Sequence, residues 1–256
     1  MERLDLLGQR ARPTTLAAER SLPVAPALAP LLPGGHLVRG TTVGVAGIGA
    51  TSLALGLVAA ASAAGSWTVA VGLDDLGLVA AAEAGVDLAR LVLVDAPPPE
   101  RWGTVVAALV ETIELVLVRP TARVRDADDR RLAAHLRSRG GVLVRLPGVG
   151  SWPGSPDVTL RAVAPDWQGT VPPSRLDGAG RLRSRRLVVE ATGRGRAARP
   201  RRVELWLPGP DGVPAPVLDR PAGDRRPVPE RTAGGADRRV VARREAAESL
   251  AWADAG

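Results

Sequence analysis

The 256-residue chain has no lysine, cysteine, phenylalanine, tyrosine or asparagine. Its aromatic residues are six tryptophans, and all 34 of its basic residues are arginine. Each absence excludes something. Without cysteine there is no disulfide framework, no thiol nucleophile and no thiolate-held metal. Without lysine, no ammonium can sit in a phosphate-binding loop. The two histidines, His36 and His135, lie far apart and lack metal-ligand spacing, so each reads as an ordinary buried or surface residue and no metal site is expected. No apolar run is long enough to cross a bilayer, which takes roughly 20 residues. The most apolar stretch, Leu53 to Ala64, reads as a buried helix. The N-terminus carries Glu2 and Asp5 and has no apolar core of a signal peptide, so the expected location is cytoplasmic, without membrane partners.

What is present is a large supply of Ala, Val and Leu. Hydrophobic residues make up 45% of the chain, enough for one α/β domain of about 200 residues plus a tail. The net charge of +7 is unevenly placed: residues 175–256 hold 18 arginines against 11 acids, while residues 1–174 balance. The densest stretch, 181–202, holds nine arginines against Glu190 alone. Such a stripe fits a polyanion partner, or equally an arginine-rich solvated surface of the kind a GC-rich genome encodes.

From Thr42 the pattern alternates between short β-branched runs and helical stretches. Strands are expected at Thr42–Ala46, Thr68–Val71, Leu91–Val94, Ile113–Val118 and Val142–Leu146. Helices are expected at Thr51–Ala64, Leu76–Ala84, Trp102–Glu111 and Asp126–Arg139. The last carries Asp126, Asp128 and Asp129 in its first turn, Arg137 and Arg139 in its last, and Gly140 beyond, which complements the helix dipole. Apolar strands separated by helices imply a parallel sheet buried on both faces. Three further β-type segments, Val158–Val163, Leu187–Thr192 and Val203–Leu207, have no helices between them and read as an antiparallel extension of that sheet. Residues 1–33 read as a lead segment and 34–207 as the core, which Leu37-Val38-Arg39-Gly40 enters. Residues 208–235 read as a Pro/Gly/Arg-rich linker, and 236–256 as a flexible basic tail containing a helix. In that helix Val240, Ala247, Leu250 and Trp252 are candidates for docking a partner.

Gly44-Val45-Ala46-Gly47-Ile48-Gly49-Ala50-Thr51 has the spacing of a phosphate-binding loop, G-x-x-x-x-G-K-[ST], with Ala50 at the lysine position. A strand precedes it and a helix follows at once, as that motif requires. In a working loop the backbone N–H groups cradle the phosphates, the lysine neutralises the β/γ charge and a hydroxyl holds magnesium. The candidate nucleotide-binding residues, in degenerate form, are therefore Gly44, Gly47, Gly49, Ala50, Thr51 and Ser52. The strand that should end in a magnesium-binding acid instead ends in Arg119-Pro120, and Glu114 sits at its other end. Asp74 and Asp75 follow the second core strand, where a water-activating carboxylate would stand, and read as caps of the next helix. No catalytic residue and no cofactor is expected, and ATP would find no lysine.

Gly34-Gly35-His36-Leu37-Val38-Arg39-Gly40 followed by this loop, and then Asp74 to Asp87 through Leu76-Gly77-Leu78 and Gly85-Val86-Asp87, resemble the corresponding segments of RecA-type recombinases. The resemblance covers about residues 20–207. It implies an α/β RecA-like P-loop fold with a mostly parallel central sheet. The segments after the fourth and fifth core strands, where RecA-type proteins carry long DNA-binding loops, are short. With an Arg/Pro-rich tail, the chain looks like the actinobacterial ImuA type of mutasome accessory protein. That resemblance implies a role in mutagenic translesion synthesis beside the nucleoid, in the DNA-damage (SOS) response. It also implies an ImuB-type Y-family polymerase homologue as partner, an error-prone C-family DNA polymerase at one remove, and possible contact with single-stranded DNA. The contact candidates for DNA are Arg181, Arg183, Arg185, Arg186, Arg199, Arg201 and Arg202. Two alternatives share the core: a weak RecA/KaiC-like ATPase with arginine in place of lysine, and a SulA-like inhibitor of cell division acting by protein binding.

Overall fold

Nine strands in one sheet cannot all be apolar on both sides unless two layers cover them, and here the second layer covers only part of the sheet. The computed structural model of the chain describes residues 21–168 and 184–217. It begins with a small antiparallel ribbon, β1 (Ser21–Leu22) with β2 (Leu37–Val38). Then come β3 (Thr42–Gly47), α1 (Ala50–Ala63), β4 (Thr68–Val71), α2 (Leu78–Glu83), β5 (Leu91–Val94), α3 (Pro99–Thr112), β6 (Leu115–Val118), α4 (Asp126–Arg139) and β7 (Val142–Arg145). The chain continues through β8 (Val158–Gln168), β9 (Ser184–Gly193), β10 (Arg201–Trp206) and β11 (Ala215–Pro216). The main sheet runs β11-β10-β9-β8-β3-β7-β6-β4-β5. β5, β4, β6, β7, β3 and β8 are mutually parallel, and β9, β10 and β11 add to β8 in antiparallel fashion. The expected mixed α/β sheet, mostly parallel with an antiparallel extension, is present, but Val158–Val163, expected in that extension, lies in β8, which runs parallel to β3, so the extension begins only at β9.

One core lies on the face that every strand from β4 to β10 shares. Leu53 and Leu57 of α1 meet Leu115, Leu117, Val144, Leu160, Leu187 and Leu205 there, all fully buried. Ten of the fourteen residues of α1 are buried, so it is apolar all round, as befits a helix inside the protein. The second core lies on the other face. There Trp102, Val106 and Val110 of α3 and Leu132 and Leu136 of α4 pack on Val69, Val71, Val116, Val118 and Leu143. This second layer reaches β7 and no further. The polarity of α4 is as expected: Gly140, with φ +77°, ends it and donates its N–H to the Leu136 carbonyl.

Several boundaries differ from the sequence-based expectations. Leu37–Val38 does not enter the core sheet but pairs with Ser21–Leu22, because Thr41 and Gly40 turn the chain before β3 begins. Residues 21–33 are part of the core: Leu22, Leu28, Leu31 and Leu32 are buried in it, in a stretch whose prolines shape short turns rather than a free lead. The first residues of the expected linker are also built in. Gly209 and Gly212 make a turn, Pro214 is buried, and Ala215–Pro216 pairs with β10. Val240, Ala247, Leu250 and Trp252 lie outside the described residues.

Candidate functional site

Parallel strands bring their carboxyl ends to one edge of the sheet, and in open α/β sheets that edge is where ligands bind. Here the edge holds the glycine turn after β3, the segment after β4 and the end of β6. Gly47 and Gly49 have φ of +86° and +78°, a region that side-chain-bearing residues rarely adopt. Space forbids a side chain there as well: a Cβ on Gly47 would run into the Ala162 carbonyl, and one on Gly49 into the guanidinium of Arg185. The turn passes straight into α1, whose first hydrogen bond is from Leu53 N–H to the Gly49 carbonyl at 2.9 Å. Gly44, Gly47, Gly49, Ala50, Thr51 and Ser52 thus share one strand–turn–helix unit. Ala50 is buried, while Thr51 and Ser52 are half-buried.

Arg119 closes this edge. Its backbone N–H continues the β6 ladder to the Val71 carbonyl, and its side chain turns back toward α1. Nη2 donates to Thr51 Oγ1 at 3.2 Å and Nη1 donates to Asp75 Oδ1 at 2.5 Å. The guanidinium therefore lies on the hydroxyl that would hold magnesium in a working loop. Asp75 does not cap the next helix. α2 starts at Leu78, after Gly77, with no side-chain cap, and the Asp75 carboxyl is committed to Arg119, whose hydrogen bond holds it below the ordinary carboxylate range. Glu114, at the far end of β6, is occupied elsewhere. Burial pushes its carboxyl up, but hydrogen bonds from Arg39 (2.6 Å) and Ser66 outweigh that and hold it low.

A second arginine reaches the same turn from β9. Arg185 is 5% exposed, donates from Nε to the Leu207 carbonyl at 3.0 Å and lies against Gly49. Burial pushes its pKa down from the usual arginine value. Sequence reasoning placed Arg185 among the DNA contacts; it turns inward instead. The signal was present in the alternation of β9, where Leu187, Val189 and Ala191 are in phase with Arg185 and all face the core.

The other arginines of the stripe are dispersed. Arg186 pairs with Glu204 at 2.7 Å and Arg202 with Glu190 at 3.1 Å, both across neighbouring strands. Arg201 donates to the Arg196 carbonyl at 3.3 Å, and Arg199 is exposed. Arg181 and Arg183 lie outside the described residues. Beside the parallel edge, Arg145 is 6% exposed. It pairs with Asp129 at 2.7 Å, donates to the Gly154 carbonyl at 3.1 Å and stacks 4.3 Å over the ring of Trp152, which meets Trp102 edge-on. His135 faces Glu111 at 3.0 Å. Among the described residues no group of three or more His, Cys, Asp or Glu side chains is placed to hold a metal ion, and no helix is long and apolar enough to cross a membrane.

Residues 30–154 match the family model described as the MT3502 N-terminal domain. The uncharacterized protein Rv3395c of Mycobacterium tuberculosis (strain ATCC 25618 / H37Rv) is 36% identical over 159 residues, which span 60% of this chain and 74% of that protein. The chain belongs to the MT3502 family. The MT3502 match begins just before the short turn that leads into β2 and ends in the segment after β7. It therefore takes in the glycine turn, Asp75 and Arg119, and stops short of Arg185.

Proposed function

We propose that this MT3502-family protein is a non-catalytic RecA-like adaptor in a DNA-damage-induced translesion synthesis complex, which docks an ImuB-type Y-family polymerase homologue and touches DNA. The observation that carries the non-catalytic reading is the Arg119 tie. At the loop whose lysine position is Ala50, a guanidinium donates to Thr51 Oγ1 and is braced by Asp75. A divalent metal at that hydroxyl would meet a fixed positive charge, and at 4 Å two unit charges repel by about 4 kcal/mol near a protein surface. The RecA-like reading is supported by β3 passing through a two-glycine turn directly into α1 on a mostly parallel sheet. Partner identity rests on the sequence resemblance.

The test has three parts. Calorimetric titration of the full chain with Mg-ATP, together with phosphate release, is expected to stay at background. Pulldown of the ImuB-type partner is expected to succeed with the full chain and fail without residues 218–256, whereas unchanged capture would remove the tail from the docking role. Single-stranded DNA binding should weaken steeply as salt rises, because arginine contacts to phosphate release counterions.

One observation favours a second reading, that of a weak ATPase. Arg185 lies against Gly49 and brings a positive charge to the turn that lacks lysine. Hydrolysis above background that disappears in Thr51→Ala would establish it.

A further inference from the structure

At the opposite end of β3 from the glycine turn, the structure has a cavity of about 200 Å³. Its apolar lining comes from Leu32, Val43, Val158 and Ala197, all buried in the core. That volume is below the roughly 300–1,000 Å³ of sites for small molecules and cofactors, so it suits an inserted side chain. One rim is basic. Arg194 and Arg196, both exposed, line the mouth on the turn between β9 and β10, and Arg199 follows on the same turn. The carboxylate at the mouth, Asp157, is tied inward. Its Oδ2 accepts from the Thr42 N–H at 2.8 Å and from Thr42 Oγ1 at 2.9 Å, while Oδ1 is 3.7 Å from Arg194. The rim therefore keeps a positive balance beside an apolar hole.

We propose that this cavity docks an acidic segment of a partner protein, with one aliphatic or aromatic side chain seated in the hole and flanking carboxylates on Arg194 and Arg196. An apolar anchor in a desolvated pocket with charged groups at its rim is how protein interfaces concentrate their affinity. Nucleic acid fits less well. Single strands are held by stacking bases on aromatic faces, and none of the tryptophans among the described residues lines this cavity. The proposal stands whether or not the glycine turn binds nucleotide, and it adds a contact within the described core to the docking proposed for the tail.

The experiment titrates the full chain into fluorescein-labelled acidic peptides rich in Asp and Glu, with a central Leu, Ile or Phe, or a central Ser as control, and reads anisotropy. Apolar-centred peptides should bind at least about ten-fold more tightly than the Ser control, which corresponds to about 1.4 kcal/mol. Thr41→Trp, at a residue that also lines the cavity, and Arg194→Glu with Arg196→Glu, which reverses the rim, should each cost about ten-fold or more. Thermal melting by circular dichroism checks that each variant is folded, and the surface charge reversal serves if Thr41→Trp does not fold. The proposal is overturned if no apolar-centred peptide outbinds the Ser control, or if the charge reversal leaves binding unchanged. It is also overturned if oligo-dT binds through Arg194 and Arg196 while the peptides do not, or if sedimentation shows a dimer of this chain that Thr41→Trp dissolves.

Discussion

The two halves of the sheet solve burial differently. In the parallel half every residue of β4, β6 and β7 is buried, because α1 lies on one face and α3 with α4 on the other. In the antiparallel extension, β9 alternates. Leu187, Val189 and Ala191 point into the core, and Arg186, Val188 and Glu190 lie on the face that α3 and α4 do not reach. One half is therefore specified by hydrophobicity, and the other by the phase of its alternation and by cross-strand ion pairs. The match to the MT3502 N-terminal domain model takes in the parallel strands β3 to β7 and leaves out β8, the remaining parallel strand, together with the antiparallel extension.

The two halves differ most in what a lost charge costs. Removing Arg145 strands Asp129, which is 17% exposed in this pair, and takes away the cation over Trp152. Arg145→Ala should cost about 3–5 kcal/mol in urea unfolding, as the loss of one partner of a buried pair does. Arg202→Ala, whose side chain is 66% exposed in its pair with Glu190, should cost no more than about 1 kcal/mol. If the two variants melt alike, the halves do not differ in the way described.

Leu117→Ala in β6, buried between two layers, should cost about 2–5 kcal/mol. Val188→Ala on the open face of β9 should cost well under half of that, measured by the same unfolding curve. Arg185→Ala tests the seam between the halves. It leaves the Leu207 carbonyl without its donor and should cost about 1–3 kcal/mol. The smallest effect is in pH. The folded pKa values of Asp75 and Glu114 are lowered, so their contribution to stability is fully present above the unfolded carboxylate values of about 4 and is lost as pH falls through the folded values. Glu114→Gln should flatten part of that acid-side slope while leaving stability at neutral pH within about 1 kcal/mol.

How much of this was legible depended on the same division. Thr68–Val71, Leu91–Val94 and Asp126–Arg139 match the expected elements residue for residue, because unbroken apolar runs, and a helix with acids in its first turn, arginines in its last and Gly140 beyond, leave little choice. The ribbon of β1 and β2 was not legible: two-residue strands among prolines carry no periodicity. At the site, Arg119 was readable as a misplaced charge at a strand end. Its hydrogen bond to Thr51 was not, since 68 residues separate the two. Arg185 was misplaced because a stripe of arginines was treated as one surface, when alternation along β9 sends neighbours to opposite faces.

The Arg119 tie has a mechanical side. One guanidinium joins the end of β6 to the segment after β4 and to the first turn of α1. Arginine stays protonated throughout the physiological pH range, and this clasp is part of the chain rather than a diffusible ion. The edge is therefore fastened when the protein folds, and anything that docks beside it meets a surface whose setting was decided by the gene.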